Sequence, residues 1–247
     1  MQGANRTMLE EAAREYDIPN DFEQVNIELA SRLIIPFCQG RDVLEIGCAS
    51  CEMSRMLLPH SRSLTIVEPA PSFAEGARRR FGNAVTVHGS YLHEITEARS
   101  FDVIIMASLL HHVEDPLSFL ATVRPFCSEK TRVLATVPHV KSLHRRLGVA
   151  AGMIRELHDD TPRNIRYRQF GKFDVEILSG LFAEAGFRVE ECCGYMLKPF
   201  SSEQMMSLAL EPRMIDALFQ AGREFPELSS QLFLHATLAP GHEEASR

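Results

Sequence analysis

The sequence predicts an α/β fold in which a mainly parallel sheet is covered by helices on both faces. Three observations carry that prediction. Short β-branched apolar runs alternate with longer amphipathic stretches, and parallel strands need such crossovers. The first run, Val43 to Ile46, ends on Gly47 and small residues, the pattern of a strand turning tightly into a helix. Two hydrophobic runs close on carboxylates, at Glu45 and Glu68, with a crossover's worth of chain between them.

The elements follow in order. Residues 1–40 are expected to form a mostly helical cap, broken from Tyr16 to Asp21 by proline and asparagine, and residues 41–247 the main domain. Strands are expected near 42–47, 63–68, 84–88, 101–107 and 131–138, with helices near 50–59, 72–81 and 115–127. Ser50 is the expected N-cap of the first of these helices. Asp115 followed by Pro116 is a stronger start signal, because aspartate caps the first amides and proline pre-sets the first helical residue. Insertions near 139–172 and 196–225 interrupt the alternation. No internal repeat or low-complexity linker is visible, so the arrangement is a single Rossmann-like domain.

The first turn carries the ligand chemistry. Glu68 lies 21 residues beyond Gly47, the separation of one strand-helix-strand unit. A carboxylate at that strand end can accept hydrogen bonds from ribose hydroxyls. Two ligand classes use this geometry, dinucleotides and S-adenosylmethionine. A dinucleotide fingerprint starting at Gly47 would put Glu52 beside a pyrophosphate, where like charges repel. Glu45 favours the second class, since an acid just before the turn can pair with the amino group of a methionine moiety.

With these motifs in order, the chain resembles the class I S-adenosylmethionine-dependent methyltransferases. Glu45-Ile46-Gly47 matches their acid, one residue and glycine-rich turn. Phe101 to Pro116 is similar to their fourth motif, Thr131 to Pro138 to their fifth strand, and Ala185-Gly186-Phe187 to a familiar helix end. The chain departs from the pattern at Ala49 and Cys51, where glycines are usual, at Ser90, where an aspartate usually binds adenine, and at His139, where asparagine is frequent. The resemblance implies a helix from Phe173 to Phe187, final strands over 188–195 and 231–237 that complete a seven-stranded sheet with one antiparallel member, and S-adenosylmethionine as cofactor. It implies cofactor contacts from Glu45, Gly47, Cys48, Ala49, Glu68, Pro69, Ser90, Tyr91, Ala107 and Ser108. It also implies that the N-terminal segment covers the cofactor, with Tyr16 as a substrate contact.

Methyl transfer requires alignment, exclusion of water and, for a hydroxyl or ammonium acceptor, removal of a proton. Histidine suits the last task. His111 and His112 close the fourth strand and His139 the fifth, where open α/β sheets bind ligands, so all three are candidate bases. The first insertion is basic and sits over the strand ends. Arg166, Tyr167 and Arg168 there either offer guanidinium groups and an aromatic wall to an acceptor carboxylate or phosphate, or belong to a solvated amphipathic helix and loop. The second insertion is rich in methionine and leucine, consistent with core packing, an apolar substrate cavity or a homodimer contact.

Lys and Arg total 26 against 33 Asp and Glu, a net charge of −7 that argues against nucleic acid as partner. No apolar run reaches the ~20 residues that span a bilayer, and the N-terminus shows no basic-then-apolar signal pattern, so a cytoplasmic enzyme without membrane contact is expected. Cysteines 38, 48, 51, 127, 192 and 193 read as free thiols in a reducing compartment, with no metal site. The reading is a methyltransferase acting on oxygen or nitrogen of a small molecule. The alternatives are a methyltransferase for RNA or protein and a non-catalytic S-adenosylmethionine-binding protein.

Overall fold

A computed structural model describes residue 10, residues 22–96 and residues 99–240. Tyr16 and the expected break before Phe22 lie outside the described residues. The chain runs α1 (Glu23–Cys38), β1 (Asp42–Ile46), α2 (Glu52–Leu57), β2 (Ser63–Val67), α3 (Pro71–Phe81), β3 (Thr86–His88), β4 (Val103–Ala107), α4 (Pro116–Val123) and β5 (Arg132–Pro138). It continues through α5 (Leu143–Ala150), α6 (Pro162–Arg166), α7 (Val175–Glu184), β6 (Phe187–Tyr195), α8 (Ser202–Ser207), α9 (Pro212–Glu224) and β7 (Gln231–Leu238).

The seven strands form one sheet in the order β3-β2-β1-β4-β5-β7-β6. Only β7 runs against its neighbours, pairing antiparallel with both β5 and β6. The order reverses between β1 and β4, the switch point where open α/β sheets bind ligands beyond the strand ends.

Alternation along each strand decides which face a residue serves. Leu44 and Ile46 of β1 join Ile104, Met106 and Val133 under α4 and α7, where Leu120, Val123, Leu178 and Phe182 are buried. Val43 points the other way, joining Leu64, Ile66 and Ile105 against Leu29, Ile34, Met53 and Leu57 of α1 and α2. Glu45 has the parity of Val43, so a carboxylate is committed to an apolar layer.

The differences from expectation have local causes. Helix α2 begins at Glu52, two residues after the anticipated cap, because Cys51 holds a left-handed conformation that precedes helical geometry. Ser50 makes no capping bond. Helix α4 stops at Val123 and tightens into a 3-10 turn over Arg124–Phe126, since Pro125 has no amide to continue the ladder. Its start is as predicted, with Asp115 Oδ1 accepting from the Ser118 amide at 3.0 Å. Strand β3 is only three residues long, because residues 82–84 are taken by a turn. The first insertion holds α5 and α6, and the second α8 and α9.

Candidate active site

The first turn is unusual in its backbone. Gly47, Ala49 and Cys51 all have positive φ, at 78°, 44° and 65°. Alternate residues in this left-handed region favour glycine, which explains why Ala49 and Cys51 stand where glycines are expected. A side chain at Gly47 would also press on Leu109, whose Cδ1 lies 3.1 Å from the position a Cβ would take. The turn is closed by the Cys51 amide donating to the Cys48 carbonyl at 2.7 Å.

Two carboxylates flank it. Glu68, 5% exposed, accepts from the Cys48 and Ala49 amides through Oε2 at 3.0 and 3.1 Å and from the Ala70 amide through Oε1 at 2.9 Å. Burial raises its pKa, and these three amides oppose the rise. A carboxylate offers about four lone-pair positions, so about one remains for a ligand hydroxyl. The anticipated grip on both ribose hydroxyls therefore requires an amide to let go. Glu45, 1% exposed, accepts from Ser54 Oγ of α2 at 2.5 Å. Desolvation pushes its pKa up to about 8, so it carries a proton at neutral pH.

At the end of β4, Ser108 takes a positive φ of 51° and is pinned to β5 by its amide, which donates to the Thr136 carbonyl and to Thr136 Oγ1. Its hydroxyl donates to Glu23 Oε1 at the start of α1, 3.1 Å away. Glu23 is thus drawn to the switch point, with Asn26 Nδ2 on its second oxygen.

The histidines separate into distinct environments. His111 and His112 have ring centroids 4.1 Å apart. His111 is 3% exposed, its Nδ1 has no hydrogen-bond partner among the described residues, and burial drives its pKa well below the ordinary value. His112 is half-buried; burial lowers its pKa, while hydrogen bonds to the Arg168 and Tyr167 carbonyls and the charge of Glu23 oppose the fall. His139 is held away from this pair, with Nδ1 3.0 Å from the Ser229 carbonyl. The carbonyl accepts, so the neutral ring keeps its lone pair on Nε2.

The first insertion docks on the histidine turn, the Gly171 amide donating to the His111 carbonyl at 3.1 Å. Tyr167 and Arg168 come to His112 through their backbone, while the Arg163 and Arg166 guanidiniums stack on the Tyr167 ring at 4.9 and 5.3 Å. Arg145 is a buried strut, its Nε donating to the Leu157 carbonyl at 2.7 Å and its Nη2 to that of Asp159. Toward the sheet edge, Ser90 follows β3 and Tyr91 stacks on His93 at 5.5 Å. Pro69 lies two residues beyond β2, and Ala107 is the last residue of β4. Among the described residues, no three side chains gather as metal ligands, and no helix is long and apolar enough to cross a membrane.

The methyltransferase-domain family matches residues 21–192, more than half of the chain. The chain belongs to this methyltransferase family. Membership agrees with the resemblance read from the motifs and makes it a class I S-adenosylmethionine-dependent methyltransferase domain. The methyltransferase is 27% identical over 115 residues to nodulation protein S of Rhizobium tropici, covering 45% of this chain and 47% of that one. It is 30% identical over 87 residues to the mitochondrial ubiquinone biosynthesis O-methyltransferase of Schizosaccharomyces pombe, covering 33% and 32%. The matched stretch thus spans about half of the first relative and a third of the second. Among solved structures, the N-methyltransferase NodS of Bradyrhizobium japonicum WM9 superposes with a TM-score of 0.57 at 15% identity, covering 88% of this chain and 97% of that one. The 1,6-didemethyltoxoflavin-N1-methyltransferase of Burkholderia thailandensis superposes at 0.61 and 14% identity, covering 96% and 88%. These likenesses establish the fold.

Sequence reasoning missed two features of this methyltransferase's site. Glu23 lies far from every motif, and nothing in the chain points it toward Ser108, 85 residues away. The other miss was legible: Cys48-Ala49-Ser50-Cys51 is a C-x-x-C spacing, and treating the six cysteines as isolated thiols passes over it.

Proposed function

We propose that this domain transfers the methyl group of S-adenosylmethionine to an oxygen or nitrogen of a small-molecule acceptor. The observation that carries the reading is the convergence of the left-handed turn, Glu68 and buried Glu45 at the switch point, with Ser108 and His112 beyond the end of β4 and Glu23 at the start of α1. The residues fit the cofactor: Glu68 keeps an acceptor position for a ribose hydroxyl, and Glu45 would release its proton to pair with the ammonium of the methionine moiety. Ala49 keeps the turn narrow, and Tyr91 offers a ring for adenine.

The cofactor supplies an already activated methyl group, so the chain's residues orient, shield and remove a proton. His112 is the best placed base, because the Glu23 charge reaches it beside Ser108, whereas His111 is fully enclosed and His139 is held away from this pair. Glu23 stabilises the imidazolium formed when His112 accepts a proton, and it also suits an amine that enters charged. The names of the relatives include both N- and O-methyltransferases, which supports the pair of acceptor atoms. The docked insertion, with Arg166 and Tyr167, forms the acceptor's outer wall, and the net charge of −7 weighs against RNA.

The test is transfer of label from methyl-labelled S-adenosylmethionine to a metabolite extract, with calorimetry of S-adenosylhomocysteine alongside. We expect a labelled small molecule and tight product binding. Label found only on protein or RNA would overturn the acceptor class, and absence of binding would overturn the site.

A further inference from the structure

The two thiols of the C-x-x-C segment lie in the turn itself. Cys48 and Cys51 Sγ are 3.6 Å apart, and the amide-to-carbonyl bond between the same residues closes the backbone around them. A four-residue turn of this kind keeps its ends within ~7 Å, inside the reach of a disulfide. Both residues are buried, and the Cys48 side chain also hydrogen-bonds to Glu68, so the pair lies against the carboxylate assigned to the ribose.

We propose that Cys48 and Cys51 are an oxidative modification site, a dithiol that a small peroxide converts to a disulfide, and that the bridge lowers affinity for the cofactor. The second half of the proposal rests on the reading that this turn holds S-adenosylmethionine. Both sulfurs are enclosed, so the oxidant is small, and hydrogen peroxide is the simplest of its class. The Cys51 thiolate attacks one peroxide oxygen, the O–O bond breaks, and hydroxide leaves, giving a sulfenic acid. The Cys48 sulfur then attacks the Cys51 sulfur, the S–O bond breaks, and water leaves with the Cys48 proton. Two thiols lose two electrons and the peroxide gains them.

The local chemistry favours that order. The Cys48 thiol at hydrogen-bonding distance, followed by the Arg80 guanidinium, pulls the Cys51 pKa down against its burial, whereas the hydrogen bond to Cys51 and burial raise that of Cys48. Arg80 reaches this segment through the Ser50 carbonyl at 3.0 Å and Glu52 at 2.8 Å. A disulfide brings the sulfurs from 3.6 Å to ~2.05 Å, which draws Cys48 toward α2. The Cys48 and Ala49 amides that hold Glu68 move with it. A bound cofactor covers the turn, so it should in turn slow the oxidation.

The experiment treats the full chain with hydrogen peroxide, maps disulfides by peptide mass, and measures S-adenosylhomocysteine affinity before and after, then again after dithiothreitol. We expect a 2 Da loss in the peptide holding Cys48 and Cys51, at least a tenfold rise in Kd, and recovery on reduction. Cys48→Ser and Cys51→Ser, each compared with itself before and after peroxide, should show no such change. Absence of a 48–51 bridge in the wild type overturns the site. A mapped bridge with unchanged affinity overturns the coupling alone. A reduced protein that binds no S-adenosylhomocysteine, yet forms the bridge, overturns the cofactor reading and the coupling while the redox site stands.

Discussion

At the scale of single residues, strain, protonation and burial decide the outcome. Ala49 holds a left-handed backbone that costs an L-residue about 1–2 kcal/mol, and its methyl is only partly buried. Ala49→Gly should therefore stabilise the fold, by about 0.5–1 kcal/mol once the added freedom of the unfolded chain is subtracted, read from the urea midpoint. Cys51→Gly should gain less, because it also gives up a buried side chain. Glu45 sets a pH dependence. Its pKa in the folded state is about 8 against an ordinary 4.5, so between those values the folded chain keeps a proton that the unfolded chain has lost. Stability falls as pH rises through that window. Melting temperatures at pH 6 and 8.5 should show the drop in wild type, and Glu45→Gln should remove that part of it. His112→Ala should lower kcat by roughly 10²–10⁴ with product affinity nearly unchanged. The acidic limb it removes lies below pH 6.5, since burial lowers the histidine's pKa. An unaltered rate and pH profile would leave alignment alone as the mechanism.

At the scale of elements, the strands were legible because each is a bounded apolar run, and α4 because Asp115-Pro116 writes its start. The start of α2 was not, since a left-handed cysteine has no sequence signature and Ser50 imitates a cap. Glu45 was placed before the turn by its position in β1, but its burial and protonation follow from the layer formed by α1 and α2, with the Ser54 hydrogen bond opposing the protonation, and no local pattern encodes that layer. The insertions are the least legible part. Their arginines read as a solvated or ligand-facing set, yet Arg145 is spent on two carbonyls of its own segment. Arg145→Ala should release residues 155–170, at a cost of about 1.5–3 kcal/mol for hydrogen bonds from a charged donor. Hydrogen exchange over that segment is expected to accelerate, with a higher KM for the acceptor; unchanged exchange would show that the docking at Gly171 suffices to hold it.

At the scale of the molecule, the family resemblance implied seven strands with one antiparallel member but not which strand it is; the structure makes it β7. What the resemblance also left open is how the sheet ends. One border is β3, three residues long; the other is β6, nine residues long, paired among the described residues with β7 alone, with a pairing irregularity between Val189 and Glu191. An edge strand of that length is a template on which a foreign strand can grow. Here Arg188, Glu190 and Glu191 break the apolar alternation, and Glu190 is tied back to Arg188 Nε at 2.8 Å and Thr237 Oγ1 at 3.0 Å. A strand laid alongside would meet fixed charges where it needs side chains to interdigitate. The kink and the charges together make the border a poor seed for fibrils, whatever the catalytic end of the sheet does. Replacing Arg188, Glu190 and Glu191 with threonine should leave the core intact yet turn concentrated solutions turbid on storage, with light scattering that climbs with protein concentration; scattering as low as that of the parent protein would show that the bend alone keeps neighbouring molecules from stacking edge to edge.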